Sequence, residues 1–289
     1  MSEIEIRFLQ GVDFSRIHQA FLKAFSDYII PLQLNEDQFR EMMTRRGANF
    51  DLSVGAFLDA ELIAFNINAF DRFTGVPTVY DIVTGVIPSQ RRKGIAGRLF
   101  EFSLPRLRQT NALRYLLEVI STNYPAIAIY ERIGFRSIRT LQGFSRKLLA
   151  QSSKEPPPQL HLQEIEMNWE TAQTFWDWEP SWQNSMASIR RSRARKIAIG
   201  AFLGQNLAGY GIVYPDSGDI AQFSVHRSAR RRGIGTHLIH ALQEKMLTPS
   251  AARTVNVDAS DAATLTFLKA IGFHPTLSQH EMELKFAKD

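Results

Sequence analysis

The sequence predicts an α/β (α+β) fold that occurs twice in tandem, each copy with a central sheet flanked by helices. Three observations support this prediction. A basic segment with glycine occurs twice, an Ile-Gly-Phe segment follows each copy, and a proline-rich stretch separates the two halves. In each half, segments rich in β-branched residues are mixed with segments of helical apolar spacing.

The two basic segments correspond position by position. Val86 to Ala96 reads VIPSQRRKGIA and Val225 to Gly235 reads VHRSARRRGIG, with 8 positions from the valine to the first glycine in both. Ile133-Gly134-Phe135 and Ile271-Gly272-Phe273 follow, at Gly-to-Gly separations of 40 and 39 residues. This agreement in order and spacing indicates a duplicated domain.

The remaining elements follow the same order in both halves. Each half opens with an alternating, strand-like segment, at Ile4 to Phe8 and at Leu160 to Leu162. A strand is predicted before each glycine turn, at Val76 to Val86 and at Ile220 to Val225. A helix is predicted after each turn, at Ala96 to Leu107 and at Gly235 to Met246. A short buried strand comes next, at Tyr115 to Ile120 and at Thr254 to Val257. A helix that ends at glycine follows it, at Ala126 to Ile133 and at Ala262 to Ile271.

Composition also places the domain boundary. Residues 151–159 are polar and include three consecutive prolines, which can join neither a helix interior nor a central strand. We therefore expect a semi-rigid linker over 151–159, between a first domain at 1–150 and a second domain at 160–289.

Several classes of protein do not fit the composition. With no cysteine, the chain offers no disulfide, thiolate metal site or thiol nucleophile, and no metal site is predicted from its histidines. No apolar run approaches the roughly 20 residues that span a bilayer, and the acidic, alternating start is unlike a signal peptide. We therefore expect a cytoplasmic protein without a membrane partner.

The turn shared by both halves has the features of a phosphate site. A strand leads into three basic residues, then glycine, then a helix whose first amides lack intrahelical partners. Those amides and the positive end of the helix dipole attract anions, and small residues allow close approach to the backbone. Neighbouring arginines add charge-assisted bonds. The turn is therefore predicted to bind a diphosphate.

These segments resemble the signature of the GNAT N-acetyltransferase superfamily. Arg91 to Ala96 and Arg230 to Gly235 look like its Arg/Gln-x-x-Gly-x-Gly/Ala block, and Asn123 to Ala126 with Tyr130 to Phe135 resemble its second block. The resemblance implies a mixed sheet whose fourth and fifth strands separate, with acetyl-CoA as co-substrate between them. It implies a cofactor site made by Val86, Arg91, Arg92, Lys93, Gly94, Ile95, Ala96, Asn123, Val225, Arg230, Arg231, Arg232, Gly233, Ile234 and Gly235.

The resemblance also implies roles in acyl transfer, namely attack of an amine on a thioester. Tyr130 matches the family tyrosine that protonates the departing thiolate, whereas the second half has Leu268 in that place. Asn123 likewise corresponds to Asp261. We therefore expect the first domain to be catalytic. For the second, two alternatives remain: it is degenerate and binds acyl-CoA without transfer, or it is active with another acid or with solvent. Asp81 is the candidate base, directly or through water, while a buried structural role is the alternative for both Asp81 and Tyr130.

The acceptor is expected near the early helices, where aromatic and acidic residues could hold a cationic amine by cation–π contact. These residues include Asp27 and Tyr28 in the first half and Asp177 in the second, and all 4 tryptophans lie in the second stretch. Core packing or a lobe interface is the alternative. Four functions remain open: acetylation of a small-molecule amine, acetylation of a protein, a non-catalytic acyl-CoA sensor, and nucleic-acid binding. The last would use the basic clusters of this chain, whose net charge is +5.

Overall fold

A computed structural model describes residues 3–30, 32–148, 155–247 and 250–286. The chain forms two compact units. The first consists of Met1–Ile138, Arg190–Arg193 and His280–Asp289, and the second of Arg139–Ile189 and Ala194–Gln279. Of the predicted linker, residues 151–154 lie outside the described residues.

The helices and strands follow one another in the order that the repeat predicts. In the first half they are β1 (Glu5–Phe8), α1 (Phe14–Ala24), α2 (Glu36–Arg46), β2 (Ala48–Leu58), β3 (Glu61–Phe73), β4 (Val76–Val86), α3 (Ile95–Arg108), β5 (Arg114–Ile120), α4 (Tyr124–Ile133) and β6 (Arg136–Lys147). In the second half they are β7 (Leu160–Glu164), α5 (Trp169–Gln173), α6 (Met186–Arg191), β8 (Ile197–Leu203), β9 (Asn206–Tyr214), β10 (Asp219–Val225), α7 (Ile234–Glu244), β11 (Ala251–Asp258), α8 (Ala262–Ala270) and β12 (His274–Lys285).

Each unit contains a mixed sheet flanked by helices, which confirms the predicted fold class. In the first unit the strand order is β1-β2-β3-β4-β5-β12, and in the second it is β6-β11-β10-β9-β8-β7. The pairs β4–β5 and β10–β11 are parallel. The pairs β1–β2, β2–β3, β3–β4, β6–β11, β9–β10, β8–β9 and β7–β8 are antiparallel. Glycine ends α4 as predicted, because Gly134 adopts φ 113° and its amide donates to the carbonyls of Tyr130 and Glu131.

The last strand of each unit comes from the other half of the chain. Residues of β12 from His280 onward belong to the first unit, where Met282 and Phe286 are buried in its core with Tyr115. The amide of Phe286 donates to the carbonyl of Leu113 at 2.9 Å. This exchange follows from tertiary packing, so neither the repeat nor the proline-rich stretch reveals it.

The second unit receives its edge strand in the same way. Residues of β6 from Arg139 onward belong to it and pair antiparallel with β11, with Ser145 opposite Arg253. Phe144 is buried in the apolar cluster of this unit, beneath α7 and α8. No helix in the described part of the chain is both long and apolar enough to cross a membrane.

The exchange predicts that a substitution near the C-terminus loosens the first unit. Met282→Ala removes a side chain that is 1% exposed in that core, and such changes typically cost about 2–5 kcal/mol. Amide hydrogen exchange should accelerate in β5 (Arg114–Ile120) more than in β10 and β11. Lys285→Ala, at a side chain that is 84% exposed, serves as the control. Faster exchange confined to the second unit would contradict this assignment of β12.

Candidate active site

In the first unit, the parallel strands β4 and β5 pair over only part of their length. Thr78 to Asp81 lie opposite Arg114 to Leu117, and the pairing ends there. β4 continues to Val86 and β5 to Ile120, so the two strand ends separate. In the second unit the corresponding pair, β10 and β11, is registered at Asp219 and Arg253 alone. Each unit therefore has an open wedge at the carboxyl ends of two central strands.

A bulge in β4 arranges the side chains beside the first wedge. Ile67 of β3 lies opposite Val83 and Asn68 lies opposite Asp81, which leaves Ile82 as the extra residue. Because of this extra residue, two side chains that are three positions apart can lie on one face: Thr84 Oγ1 donates to Asp81 Oδ2 at 2.6 Å.

The second unit has its bulge at the corresponding position. Ile220 lies opposite Val213 and Gln222 opposite Ile212, so Ala221 is the extra residue of β10. The two bulges align when Val86 is placed on Val225, as the repeat predicts.

The glycine turn that follows each strand has alternating backbone conformations. Arg92 and Gly94 have φ of 63° and 73°, and Arg231 and Gly233 have φ of 64° and 80°. Left-handed residues in such alternation turn successive amides toward one side and form an anion-binding concavity. Gly94 and Gly233 are the N-cap residues of α3 and α7, and neither has a side chain that could cap the first amides of its helix. A Cβ on Gly94 would meet nothing within 4 Å, so the approach to these amides is open.

The first arginine of each turn is held by the protein itself. Arg91 forms two hydrogen bonds of 2.7 Å with the Asp27 carboxylate and donates from Nε to the Val86 carbonyl at 3.1 Å. The hydrogen bond from Arg91 lowers the pKa of Asp27. Arg91 therefore fastens the turn to the segment after α1. All three basic residues of this turn are exposed, but only Arg91 is paired with Asp27.

The second turn repeats this arrangement. Arg230 donates from Nε to the Val225 carbonyl at 2.8 Å and pairs with Asp177 at 2.7 Å, which Arg227 also contacts at 2.7 Å. Asp27 and Asp177 were candidates for holding a cationic acceptor, with core packing or a lobe interface as the alternative. Their charge is instead neutralised by arginine, and Arg231 and Arg232 are left exposed beside Gly233.

Asp81 and Tyr130 are brought together in the first unit. Burial raises the pKa of Asp81 to about 7, while the hydrogen bond from Thr84 lowers it. Tyr130, on α4, also hydrogen-bonds with Thr84, and burial holds its pKa well above the usual value, with the negative charge of Asp81 acting in the same direction. Asp81 Oδ1 is buried and has no hydrogen-bond partner in the described chain. The Asp81 carboxyl, with a pKa of about 7, and the protonated phenol of Tyr130 therefore both form a hydrogen bond with Thr84.

A network of amides supports this pair. Asn66 Nδ2 donates to Thr84 Oγ1 at 2.9 Å, and Asn68 Nδ2 donates to Asn66 Oδ1 at 2.8 Å. Tyr115 Oη donates to Asn68 Oδ1 at 2.5 Å. The position of Thr84 is thus fixed by groups that the sequence analysis did not identify.

Asn123 performs two tasks at the start of α4. Its side chain caps the helix by accepting from the amide of Ala126 at 3.4 Å, and it hydrogen-bonds with Tyr28, whose pKa is raised by burial. The second unit uses Asp261 in the same way. Asp261 accepts from the amide of Thr264 at 3.0 Å and from Trp178 Nε1 at 2.9 Å.

The two aspartates that bind the turn arginines could have been recognised in the sequence. Phe25 to Tyr28 reads FSDY and Phe175 to Trp178 reads FWDW, so both carboxylates that bind the turn arginines lie in a matching Phe-x-Asp-aromatic segment. Aligning the two halves upstream of the glycine turns would have identified Asp27 and Asp177 as structural partners. Nothing comparable marks Asn66 or Asn68, because the second half has Gly211 and Val213 at the corresponding strand positions.

The second unit contains a cavity of about 760 Å³ at its wedge. The cavity extends from the glycine turn, at Arg231 and Gly235, to the aromatic side chains of Trp176 and Tyr210. At the strand and helix positions of Asp81, Thr84 and Tyr130, this unit has Ile220, Phe223 and Leu268. The two units therefore share a backbone arrangement but differ in the chemistry of their side chains.

Two α/β units, each with a separating parallel strand pair and an anion-binding turn, define a tandem protein with two equivalent clefts. The sequence profile of the acetyltransferase (GNAT) family matches residues 14–135 and 164–273. These matches cover most of the chain, which therefore belongs to the acetyltransferase (GNAT) family as a tandem member.

Individual proteins show the same similarity. A segment of 60 residues is 43% identical to an N-alpha-acetyltransferase of Saccharolobus solfataricus, covering 20% of this chain and 36% of that protein. A GCN5-related N-acetyltransferase from Sphaerobacter thermophilus shares the fold with a TM-score of 0.76, 15% identity and coverage of 98% of this chain and 95% of that one. A tandem GNAT protein from the clavulanic acid biosynthesis pathway gives a TM-score of 0.74, 17% identity and coverage of 99% and 100%.

Asp81 should make stability depend on pH. Its pKa in the folded chain, about 7, exceeds the usual value of 3.8, so its contribution to stability is fully present below about pH 4 and is lost as the pH rises through 7. Asp81→Asn keeps the neutral form. From pH 4 to pH 8 the variant should gain roughly 3 kcal/mol relative to the wild type, as measured by urea unfolding. Asp51→Asn, at an exposed strand position, is the control, and equal pH profiles for wild type and Asp81→Asn would contradict the assignment.

Proposed function

We propose that the protein is a cytoplasmic, acetyl-CoA-dependent N-acetyltransferase that acetylates a primary amine, and that the first unit performs the reaction. The observation that carries this proposal is the contact of Asp81 and Tyr130 with Thr84, where β4 and β5 separate. A base that titrates near pH 7 and an acid that keeps its proton are the two groups that aminolysis of a thioester requires.

Binding of the co-substrate follows from the backbone of the wedge. The diphosphate of CoA would lie on the amides of Gly94, Ile95 and Ala96, with Arg92 and Lys93 beside it. The pantetheine amides would pair with β4 past Asp81, where β5 no longer does. Arg91 supports this site indirectly, because it holds Val86 and Asp27 in place. Asn123 orients the start of α4 and Tyr28 next to the cleft.

The reaction then proceeds by direct attack. The amine nitrogen forms a bond with the thioester carbonyl carbon as Asp81 accepts the amine proton, directly or through water. The carbon–sulfur bond breaks, and Tyr130 donates its phenolic proton to the departing sulfur. The products are the N-acetylated amine and free CoA. Asp81 then releases its proton to solvent, and solvent returns a proton to Tyr130. Because Arg91 neutralises Asp27, that carboxylate is not available to bind a cationic acceptor.

The acceptor in this proposal is a small molecule. The α-amine of a peptide is the second candidate, favoured by the 60-residue similarity to an N-alpha-acetyltransferase. A panel of small amines and short peptides, assayed by release of CoA, separates the two. Binding of acetyl-CoA without any release of CoA would instead support a non-catalytic acyl-CoA sensor.

Tyr130→Phe should lower kcat at saturating acetyl-CoA. The loss expected for a general acid is about 10²–10⁴-fold. KM for acetyl-CoA should change little, because in this proposal the reacting sulfur is the only part of acetyl-CoA that the phenol contacts. Tyr124→Phe, at a tyrosine of α4 that is 71% exposed, is the matched control. An unchanged kcat in Tyr130→Phe would remove this residue from the reaction.

The rate should rise with pH through about 7, since Asp81 accepts a proton only as the carboxylate. In Asp81→Asn both kcat and this inflection should be lost, while acetyl-CoA still binds. Comparing kcat from pH 5.5 to pH 9 with wild type and Asp51→Asn provides the measurement. Retention of the inflection in Asp81→Asn would assign it to another group.

A further inference from the structure

The cleft of the second unit lacks the groups that transfer protons in the first. Ile220, Phe223 and Leu268 replace the carboxylate, the hydroxyl and the phenol that meet in the first unit. The carboxylates that do line the cavity are Asp177 and Asp261. Asp177 is paired with two arginines, and Asp261 caps α8 and accepts from Trp178. No side chain that lines this cavity, all of it within the described residues, is therefore placed to act as a base.

Aromatic rings line the cavity instead. Phe223 and Phe267 pack with ring centroids 6.1 Å apart. Atoms of the Phe267 ring lie 3.0 and 3.2 Å from the position that a Cβ on Gly235 would occupy, so this ring covers the start of α7 next to the glycine turn. In the first unit, Thr84 occupies the position of Phe223 and Ile129 occupies the position of Phe267. This part of the cavity is thus aromatic where the first unit has one hydroxyl and one aliphatic side chain.

The opposite wall is aromatic as well, and its polar atoms are already bonded. Trp176 Nε1 donates to Tyr210 Oη at 2.5 Å, Tyr210 Oη donates to Gln222 Oε1 at 2.9 Å, and Gln222 Nε2 donates to the Asn184 carbonyl at 2.7 Å. Trp178 is bonded to Asp261. Because these partners are internal, the rings present mainly apolar faces to the cavity.

We propose that the second unit binds, without transferring, a CoA thioester whose acyl group is apolar and larger than acetyl. The inference rests on the proposed function, because it requires that the glycine turn at Gly233 binds the CoA diphosphate as the turn at Gly94 does. The acyl chain then lies among the aromatic rings, at the end of the cavity away from Arg231. Each methylene buried there should tighten binding by roughly fourfold.

Calorimetry on the full chain with acetyl-CoA and hexanoyl-CoA tests this proposal, using two matched variants. Gly94→Val and Gly233→Val place the same side chain at left-handed glycines of φ 73° and 80°, with no neighbour of the new Cβ closer than 3.8 Å. Hexanoyl-CoA should bind to a site that survives in Gly94→Val and is lost in Gly233→Val. At that site it should bind at least tenfold more tightly than acetyl-CoA, with no release of free CoA in the presence of the amine panel.

Phe223→Thr gives an independent measurement, since it introduces the residue that the first unit has at this position. It should reduce the preference for hexanoyl-CoA over acetyl-CoA at least tenfold while leaving acetyl transfer in the first unit unchanged. Equal affinity for the two thioesters at the Gly233 site, or transfer of the hexanoyl group from it, would overturn the proposal. Binding of CoA thioesters at the Gly94 site alone would overturn it and leave the proposed function standing. A chain that binds neither thioester would refute both.

Discussion

Each unit depends on the place where two parallel strands stop pairing. Backbone groups at the end of a central strand need partners, since an unpaired buried carbonyl or amide is costly. In both units the first arginine of the glycine turn supplies one, because its Nε donates to the last carbonyl of the strand, at Val86 or Val225. The same guanidinium binds a carboxylate near the end of an early helix. This bond stabilises the turn while leaving the wedge open for a ligand.

The repeat shows which features belong to the fold and which to the reaction. Both units keep the bulge, the two left-handed positions of the turn and the arginine–aspartate pair. They differ in the side chains that line the wedge, where Asp81 and Thr84 correspond to Ile220 and Phe223. Duplication thus preserved a backbone that can bind an anion, while the side chains at the separated strand ends diverged.

Much of the fold could be predicted from the sequence. β4, predicted at Val76 to Val86, has those bounds, and α3 differs from its prediction by one residue at each end. These elements have strong local signals: β-branched runs, helical spacing and glycine stops. The roles of the turn arginines were harder to predict, because whether Arg91 faces a phosphate or Asp27 depends on contacts that are 64 residues apart in the chain. The hydrogen bonds of Asn66 and Asn68 were equally hard to predict, because nothing in the local sequence distinguishes these two asparagines from any other asparagine in a strand.

The exchange of terminal strands also constrains how the protein is made. A chain that emerges from the ribosome presents β1 to β5 early, but Met282 of β12 and Phe286 just after it, which complete their core, are synthesised only at the end of the second half. Until those residues are released, the aromatic cluster around Tyr115 and Phe135 is uncovered. Folding of the first unit is therefore completed only after the second half has been synthesised, and until then the nascent chain exposes an apolar sheet edge that chaperones can bind.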